Sequence, residues 1–310
     1  MMYLWLIIGF VLLIKGADFF VEGSSGIAKA FKVPSMIIGL TIVAMGTSAP
    51  ELSVSISAAL QGSNAIAISN VIGSNIFNLI VVCGVCAMLS PLPIKKETLK
   101  SEFPIAIGAG VLLLVFVLNG KLDRMEGIIF LVLFAAFLGW MIKSALDARK
   151  RDEDVEEEEI KTLPIWLCLI YIVGGLIAIV KGGDLVVASA TDIARTFGLS
   201  ETLIGLTIVA IGTSLPELVT SVVAAKKGEV EMAIGNVVGS NIFNILLILG
   251  VSSSIMPILV LPEAIFDLAL LTAMSMVVYV FGWSKQKINR LEGVAMVGMY
   301  VLYSIYICMR

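Results

Sequence analysis

Apolar stretches of helix-spanning length follow one another along the whole chain, separated by short polar or charged segments. They predict ten membrane spans, at 3–22, 34–60, 65–90, 102–119, 125–144, 164–188, 202–225, 231–256, 263–282 and 291–308. The period-two alternation of an outer-membrane barrel is absent. The expected fold class is therefore all-α and integral to the membrane.

Composition agrees. Of 310 residues, 59% are hydrophobic, and the mean hydropathy is +1.03, more apolar surface than a soluble domain can hide. The N-terminus is apolar at once, without a basic flank or a small-residue cleavage site, so a retained first span is expected rather than a leader. With that end outside, inward loops would carry fifteen Lys and Arg and outward loops four, which predicts that both termini are extracellular in a plasma-membrane protein. The four cysteines lie in apolar spans, and Cys83-x-x-Cys86 reads as helix packing. There is no histidine, which excludes zinc–imidazole chemistry and imidazole proton relays.

The chain is one unit written twice. Gly39 to Glu51 matches Gly205 to Glu217 at 11 of 13 positions, 166 residues later, and Asn70 to Asn78 matches Asn236 to Asn244 at 8 of 9. Lys15-Gly-Ala-Asp18 recurs as Lys181-Gly-Gly-Asp184, and Arg124-Met-Glu126-Gly as Arg290-Leu-Glu292-Gly. Five spans per copy force the second copy to enter the membrane with opposite polarity. The expected organisation is a first five-helix repeat at 1–146, a charged cytoplasmic linker at 147–163 and a second repeat at 164–310. Ten helices in two inverted-topology repeats would put a substrate site at the repeat interface near the midplane.

The best-matched positions inside the apolar spans are polar. Pro50 lies beyond the middle of 34–60, a segment about 40 Å long if helical. Its ring clashes with the Gly46 carbonyl and it has no N–H, so carbonyls around Ala44 to Thr47 are candidates to lose helical partners. Pro216 repeats the argument near Ala210 to Thr213. Freed carbonyls are oxygen ligands, which hard cations prefer. Glu51 and Glu217 follow the breaks and supply formal charge, costly in a membrane unless a cation offsets it. Thr47 and Ser48 could share the face of Glu51 across the kink. Ser74 with Asn78, and Asn75 with Asn78, share a face of their span. Gly73 and Gly239 would let helices approach closely. Ser48-x-Pro-Glu51 also reads as a capping box with Pro at the first helical position. Lys15 with Asp18, and Lys181 with Asp184, read as internal ion pairs holding a peripheral helix.

The paired Gly-Thr-Ser-x-Pro-Glu and Gly-Ser-Asn-Ile-Phe-Asn segments resemble the two signature repeats of the cation/calcium exchanger superfamily, and most of all its prokaryotic sodium/calcium exchangers. The resemblance covers all ten spans. It implies two mobile gate helices, an eight-helix core, and calcium extrusion driven by inward sodium through alternating access. By motif position it implies that Glu51 and Glu217 are the central cation ligands and that Ser48, Ser74, Ser214 and Ser240 are side-chain ligands. It further implies main-chain ligands at Ala44, Thr47, Ala210 and Thr213, and an amide ligand at Asn78. Some members carry Asp where this chain has Asn244; Asn there leaves two formal charges instead of three and argues against obligate potassium cotransport.

The expected function is a secondary antiporter exchanging Ca2+ for Na+ through one shared site. A proton/calcium antiporter on the same fold and a cation channel are the alternatives. No nucleophile–base pair or phosphate-cradling loop stands out, so no enzyme is expected. No cofactor is expected beyond the transported ions, no nucleic acid is a partner, and a monomer in the lipid bilayer is the working expectation.

Overall fold

The apolar stretches fold into helices in a computed structural model that describes residues 2–61, 65–152, 163–198 and 210–309. In chain order these are α1 (Met2–Ala30), α2 (Ser35–Thr47), α3 (Ala49–Leu60), α4 (Ile66–Leu89), α5 (Lys96–Asn119), α6 (Arg124–Asp152), α7 (Ile165–Thr196), α8 (Leu215–Lys226), α9 (Val230–Ile255), α10 (Pro262–Lys285) and α11 (Arg290–Met309). One further turn, Ala210–Gly212, precedes α8. Among the described residues seven helices are long and apolar enough to cross a membrane, or eight if α2 and α3, bent by 48° at their junction, count as one broken span. The chain is thus a multi-pass membrane protein.

Several expected boundaries shift. The first span runs on to Ala30, because Gly23, Ser24, Ser25 and Gly26, which look like a loop, are buried helix. The sixth extends to Thr196 and the fifth to Asp152, since a helix continues past the apolar stretch into its polar flanks. Residues 202–209 of the seventh expected span and 153–162 of the charged joint lie outside the described residues.

Two compact units form, each drawing on both sequence copies: Met1–Thr47 with Ala136–Asn236, and Ser48–Ala135 with Val237–Arg310. In the first, α1 lies antiparallel against α7 along a stripe of small residues. A methyl group built on Gly16 would lie 2.8 Å from the Gly175 carbonyl oxygen, and one on Gly175 would lie 2.7 Å from that of Gly16. Backbone therefore touches backbone, as small residues permit where no hydrophobic effect drives helices together. Gly73, expected to serve this purpose, meets no atom of the other described elements within 4 Å of its Cβ position.

The Lys15–Asp18 ion pair is replaced. Asp18 Oδ1 pairs with Lys227 Nζ at 2.6 Å, and Glu22 Oε2 joins at 3.3 Å, because the turn after α8 delivers Lys227 beside α1. Burial lowers the Lys227 pKa, but the hydrogen bonds and charges of Asp18 and Glu22 outweigh it and raise it above the ordinary lysine value. Glu229 in the same turn accepts hydrogen bonds from Ser25 and from Ser35, the latter at 2.8 Å. Lys181 and Asp184 do pair, at 3.7 Å, but on the exposed face of α7 rather than internally.

In the second unit, contacts recur at the 166-residue offset. The two-residue strand Leu92–Pro93 pairs with Lys287–Ile288, and Lys121–Leu122 pairs with Ile258–Leu259, both antiparallel. The Asp123 N–H donates to Glu126 at 2.7 Å, and the Asn289 N–H donates to Glu292 at 2.8 Å, so the side-chain caps sit at the starts of α6 and α11. Of the membrane-length helices, α4 and α9 are the most buried, with 78% and 89% of their apolar windows buried against 22–33% for the rest.

Candidate functional site

The helix after the proline break starts without a side-chain cap. Ser48 is the N-cap of α3 (φ −82°, ψ 7°) but makes no side-chain cap bond, and Pro50 falls in the first turn behind Ala49. This corrects the expected capping box. An N-cap side chain reaches the N2 or N3 amide from extended backbone; here N2 is proline and the ψ of Ser48 is close to helical. Ser214 repeats the geometry before Pro216 (φ −95°, ψ 6°). Glu51 and Glu217 thus enter in the first turns of their helices, each fully buried.

Ser74 organises the second unit's polar cluster. Its hydroxyl donates to Glu51 Oε1 at 3.2 Å and accepts the side-chain amides of Asn78 at 3.4 Å and Asn244 at 3.2 Å. Asn244 also donates to Asn75 Oδ1 at 2.9 Å. With their N–H groups spent on these acceptors, Asn78 and Asn244 turn their Oδ1 atoms the other way. Both oxygens are buried without a hydrogen-bond partner among the described residues, as is the Ser240 hydroxyl. The backbone turns here in wider π-helical steps, at Phe77–Val82 and Asn244–Leu249, a distortion that recurs at functional sites. The expected Ser74–Asn78 face is therefore formed.

The first unit holds the other predicted residues. Asn236 bridges three elements: its amide donates to Ser221 Oγ at 2.9 Å and the Glu217 carbonyl at 3.4 Å, and its Oδ1 accepts from the Thr47 hydroxyl at 3.0 Å. Thr47 Oγ1 also lies 3.1 Å from the Val43 carbonyl and 3.4 Å from that of Ala44, so one of the expected main-chain ligands, Ala44, meets this hydroxyl. Ala44 and Ser214 are buried and Thr213 is half-buried. Ala210 starts the described turn before the break.

Sequence reasoning passed over Asn236 as a bridge and over Thr220 and Ser221, both fully buried. Thr220 Oγ1 is buried without a partner among the described residues. The signal was present: they lie three and four residues after Glu217, on its helical face.

Among the described residues no three His, Cys, Asp or Glu side chains gather into a metal cluster. Cys83 and Cys86 are buried free thiols, consistent with packing. The polar interior instead presents single carboxylates among hydroxyl and amide oxygens. Buried acceptor oxygens left over after internal hydrogen bonding suit a guest that takes lone pairs, which is the chemistry of a hard cation.

Comparison with known proteins points the same way. The family model described as "Sodium/calcium exchanger protein" matches residues 1–143 and 167–309. CaxA of Alkalimonas amylolytica, whose name carries the word antiporter, is 45% identical over 257 residues, 82% of this chain and 81% of its own. The sodium/calcium exchanger MaX1 of Methanosarcina acetivorans is 35% identical, with 97% of each chain covered. A solved structure of the sodium-calcium exchanger NCX_Mj superposes with a TM-score of 0.85 at 33% identity, covering 97% of both chains.

Proposed function

The chain belongs to the sodium/calcium exchanger protein family, and on that premise we propose that it is a sodium-driven calcium antiporter working by alternating access. The observation that carries the ion-binding part is the pair of buried, unspent Oδ1 atoms on Asn78 and Asn244 beside the Ser74–Glu51 hydrogen bond. A network that only glued helices together would spend these acceptors.

In this reading Glu51 and Glu217 bring the two formal charges that balance Ca2+ or share Na+ ions. Asn78, Asn244, Ser48, Ser74, Ser214 and Ser240 add neutral side-chain oxygens, and Ala44, Thr47, Ala210 and Thr213 add carbonyls. That these serve one site rests on the duplicated sequence; ten helices in two inverted repeats is the organisation it supports. The recurrence of strand pairs and helix caps at the same offset is in keeping with it. The protein sits in the plasma membrane with both termini outside, acts without a cofactor and catalyses no covalent chemistry.

Alternating access needs an ion set to favour a state the empty protein avoids. Two buried carboxylates without a cation meet that condition, because charge repulsion and desolvation both disfavour closing over them. The test is Ca2+ uptake into vesicles reconstituted with the purified chain under imposed Na+, K+ and H+ gradients in turn. Uptake should follow the sodium gradient and vanish in Glu51→Gln and in Glu217→Gln. Uptake that follows the proton gradient with sodium absent would select the proton-coupled reading instead.

A further inference from the structure

Asn236 lies in the first half of α9, within the first unit, and is fully buried. Its amide hydrogens go to Ser221 Oγ at 2.9 Å and to the Glu217 backbone carbonyl at 3.4 Å, and its Oδ1 meets the Thr47 hydroxyl at 3.0 Å. A carbonyl can only accept, so Glu217 fixes which end of the amide faces α8. The end left for Thr47 is an acceptor too, and Thr47 must supply the hydrogen. That hydroxyl has one hydrogen to give and two further carbonyls in reach, Val43 at 3.1 Å and Ala44 at 3.4 Å. Helical carbonyls can be served by main-chain N–H groups, whereas Asn236 Oδ1 has no other donor among the described residues. The hydrogen therefore belongs on Asn236.

Both ends of this bridge are places where the main chain lacks a usual restraint. Thr47 ends α2, and Pro50 beyond it has no N–H to return to the Gly46 carbonyl. Glu217 stands in the first turn of α8, whose N-cap Ser214 makes no side-chain cap bond. We propose that Asn236 is a positioning residue for ion exchange: its one buried amide holds the end of α2 and the start of α8 at a set spacing. The Thr47 carbonyl and the Glu217 carboxylate, one from each sequence copy, are then presented to Ca2+ already in place. The inference rests on the antiporter reading above and deepens it. Ligands held from behind by hydrogen bonds need little rearrangement when the cation arrives, and losing such a support commonly costs about 10–100-fold in metal affinity. The first copy is built differently. Asn70, 166 residues earlier, is half-buried and gives one hydrogen bond among the described residues, to Ser55 at 3.4 Å. The two asparagines match in sequence, but only Asn236 ties two candidate ligands together.

The experiment is Ca2+ uptake into vesicles holding the full chain under a sodium gradient, with KM and maximal rate measured separately. Asn236→Leu should raise the KM for Ca2+ about tenfold, while Asn70→Leu should leave it near that of the unaltered chain. A purely structural role would lower the fraction of active protein, and so the maximal rate, without moving KM. Thr47→Val, which removes the hydroxyl and spares the Asn236–Glu217 bond, should raise KM as well. Combined with Asn236→Leu it should cost less than the product of the two single effects, because both remove the same hydrogen bond. An unchanged KM in Asn236→Leu would overturn the assignment, as would fully multiplicative effects or an equal rise in Asn70→Leu. Should Asn236→Leu fail to fold, Thr47→Val decides alone, and an unchanged KM there overturns the bridge. No Ca2+ uptake by the unaltered chain under any gradient would overturn the antiporter reading and this assignment with it; normal uptake with KM unmoved removes the assignment only.

Discussion

Asn75 and Asn241, 166 residues apart, hydrogen-bond each other reciprocally: the Asn75 amide donates to the Asn241 backbone carbonyl at 3.2 Å, and the Asn241 amide to that of Asn75 at 3.3 Å. Each asparagine thus locks the main chain of its counterpart in the other sequence copy. The pair is not symmetric in its remaining oxygen. Asn75 Oδ1 accepts from Asn244 at 2.9 Å, while Asn241 Oδ1 has no hydrogen-bond partner among the described residues.

That difference predicts unequal costs. Asn75→Leu removes a donor and also strips Asn244 of an acceptor, leaving a buried amide hydrogen unsatisfied, a loss of about 1–3 kcal/mol. Asn241→Leu removes one donor and should cost less. Thermal unfolding of the two variants in the same detergent checks the order; equal losses would mean that the Asn75–Asn244 bond contributes nothing.

Ser74→Ala should impair calcium handling more than folding. The alanine removes the acceptor that fixes the Asn78 amide, which can then turn an N–H toward the cation, while Asn244 keeps Asn75 Oδ1 as its acceptor. A loss of about 1.4 kcal/mol of binding is tenfold in affinity. Ca2+ uptake into vesicles should show a KM raised about tenfold, with Tm lowered only slightly. An unchanged KM would remove Ser74 from the site.

Much of this cluster was legible in the sequence because its logic is local. Glu51 follows a proline break, and Ser74 and Asn78 share a helical face by spacing alone. What could not be read depends on which elements meet. Lys227 reaches Asp18 across more than two hundred residues, which no i, i+3 rule foresees, so the nearer Lys15 was the natural partner to expect. The absent capping bond at Ser48 depends in part on its ψ angle, which residue spacing does not reveal. The π-helical steps at Phe77 and Asn244 leave no mark in composition, since apart from the asparagines the residues there are those of any apolar span.

Neighbouring glycines on α7 should behave oppositely. A methyl group at Gly175 would press on the Gly16 carbonyl and the Phe20 amide, both at 2.7 Å, whereas at Gly174 no atom of the other described elements lies within 4 Å. Gly175→Ala should destabilise by about 1–3 kcal/mol through overpacking. Gly174→Ala should be neutral or stabilising by up to about 1 kcal/mol, from helix propensity. Paired Tm measurements decide; matching effects would contradict the close approach of α1 and α7.

The Lys227 contact should be lost at high pH. Because its partners raise its pKa in the folded chain, its contribution is complete below the ordinary lysine value of about 10.5 and fades as pH rises through the raised value. Lys227→Met should therefore lower Tm near neutral pH by the equivalent of about 1 kcal/mol or less, given the partial exposure of the pair. The gap to the unaltered chain should close in strongly alkaline buffer. A gap independent of pH would assign the effect to packing.

Asn244→Asp tests how the site manages charge. The side-chain amide of Asn244 gives hydrogen bonds to Ser74 Oγ at 3.2 Å and Asn75 Oδ1 at 2.9 Å. A carboxylate has the same shape but no donor, so it would set two oxygens against each other at the Asn75 position. It would also compete with Glu51 for the Ser74 hydroxyl, which lies 3.2 Å from Glu51 Oε1. Without a divalent ion, the variant loses two hydrogen bonds and gains like-charge repulsion, so its Tm should fall by the equivalent of about 2–3 kcal/mol. A cation reverses the sign, because the added charge attracts Ca2+ and the ion satisfies the oxygens that face it. Saturating Ca2+ should therefore raise the variant's Tm by more degrees than it raises that of the unaltered chain. If the calcium-free Tm is unchanged and the calcium shift is no larger, Asn244 does not face the ion, and the donor network around Ser74 holds helices together and nothing more.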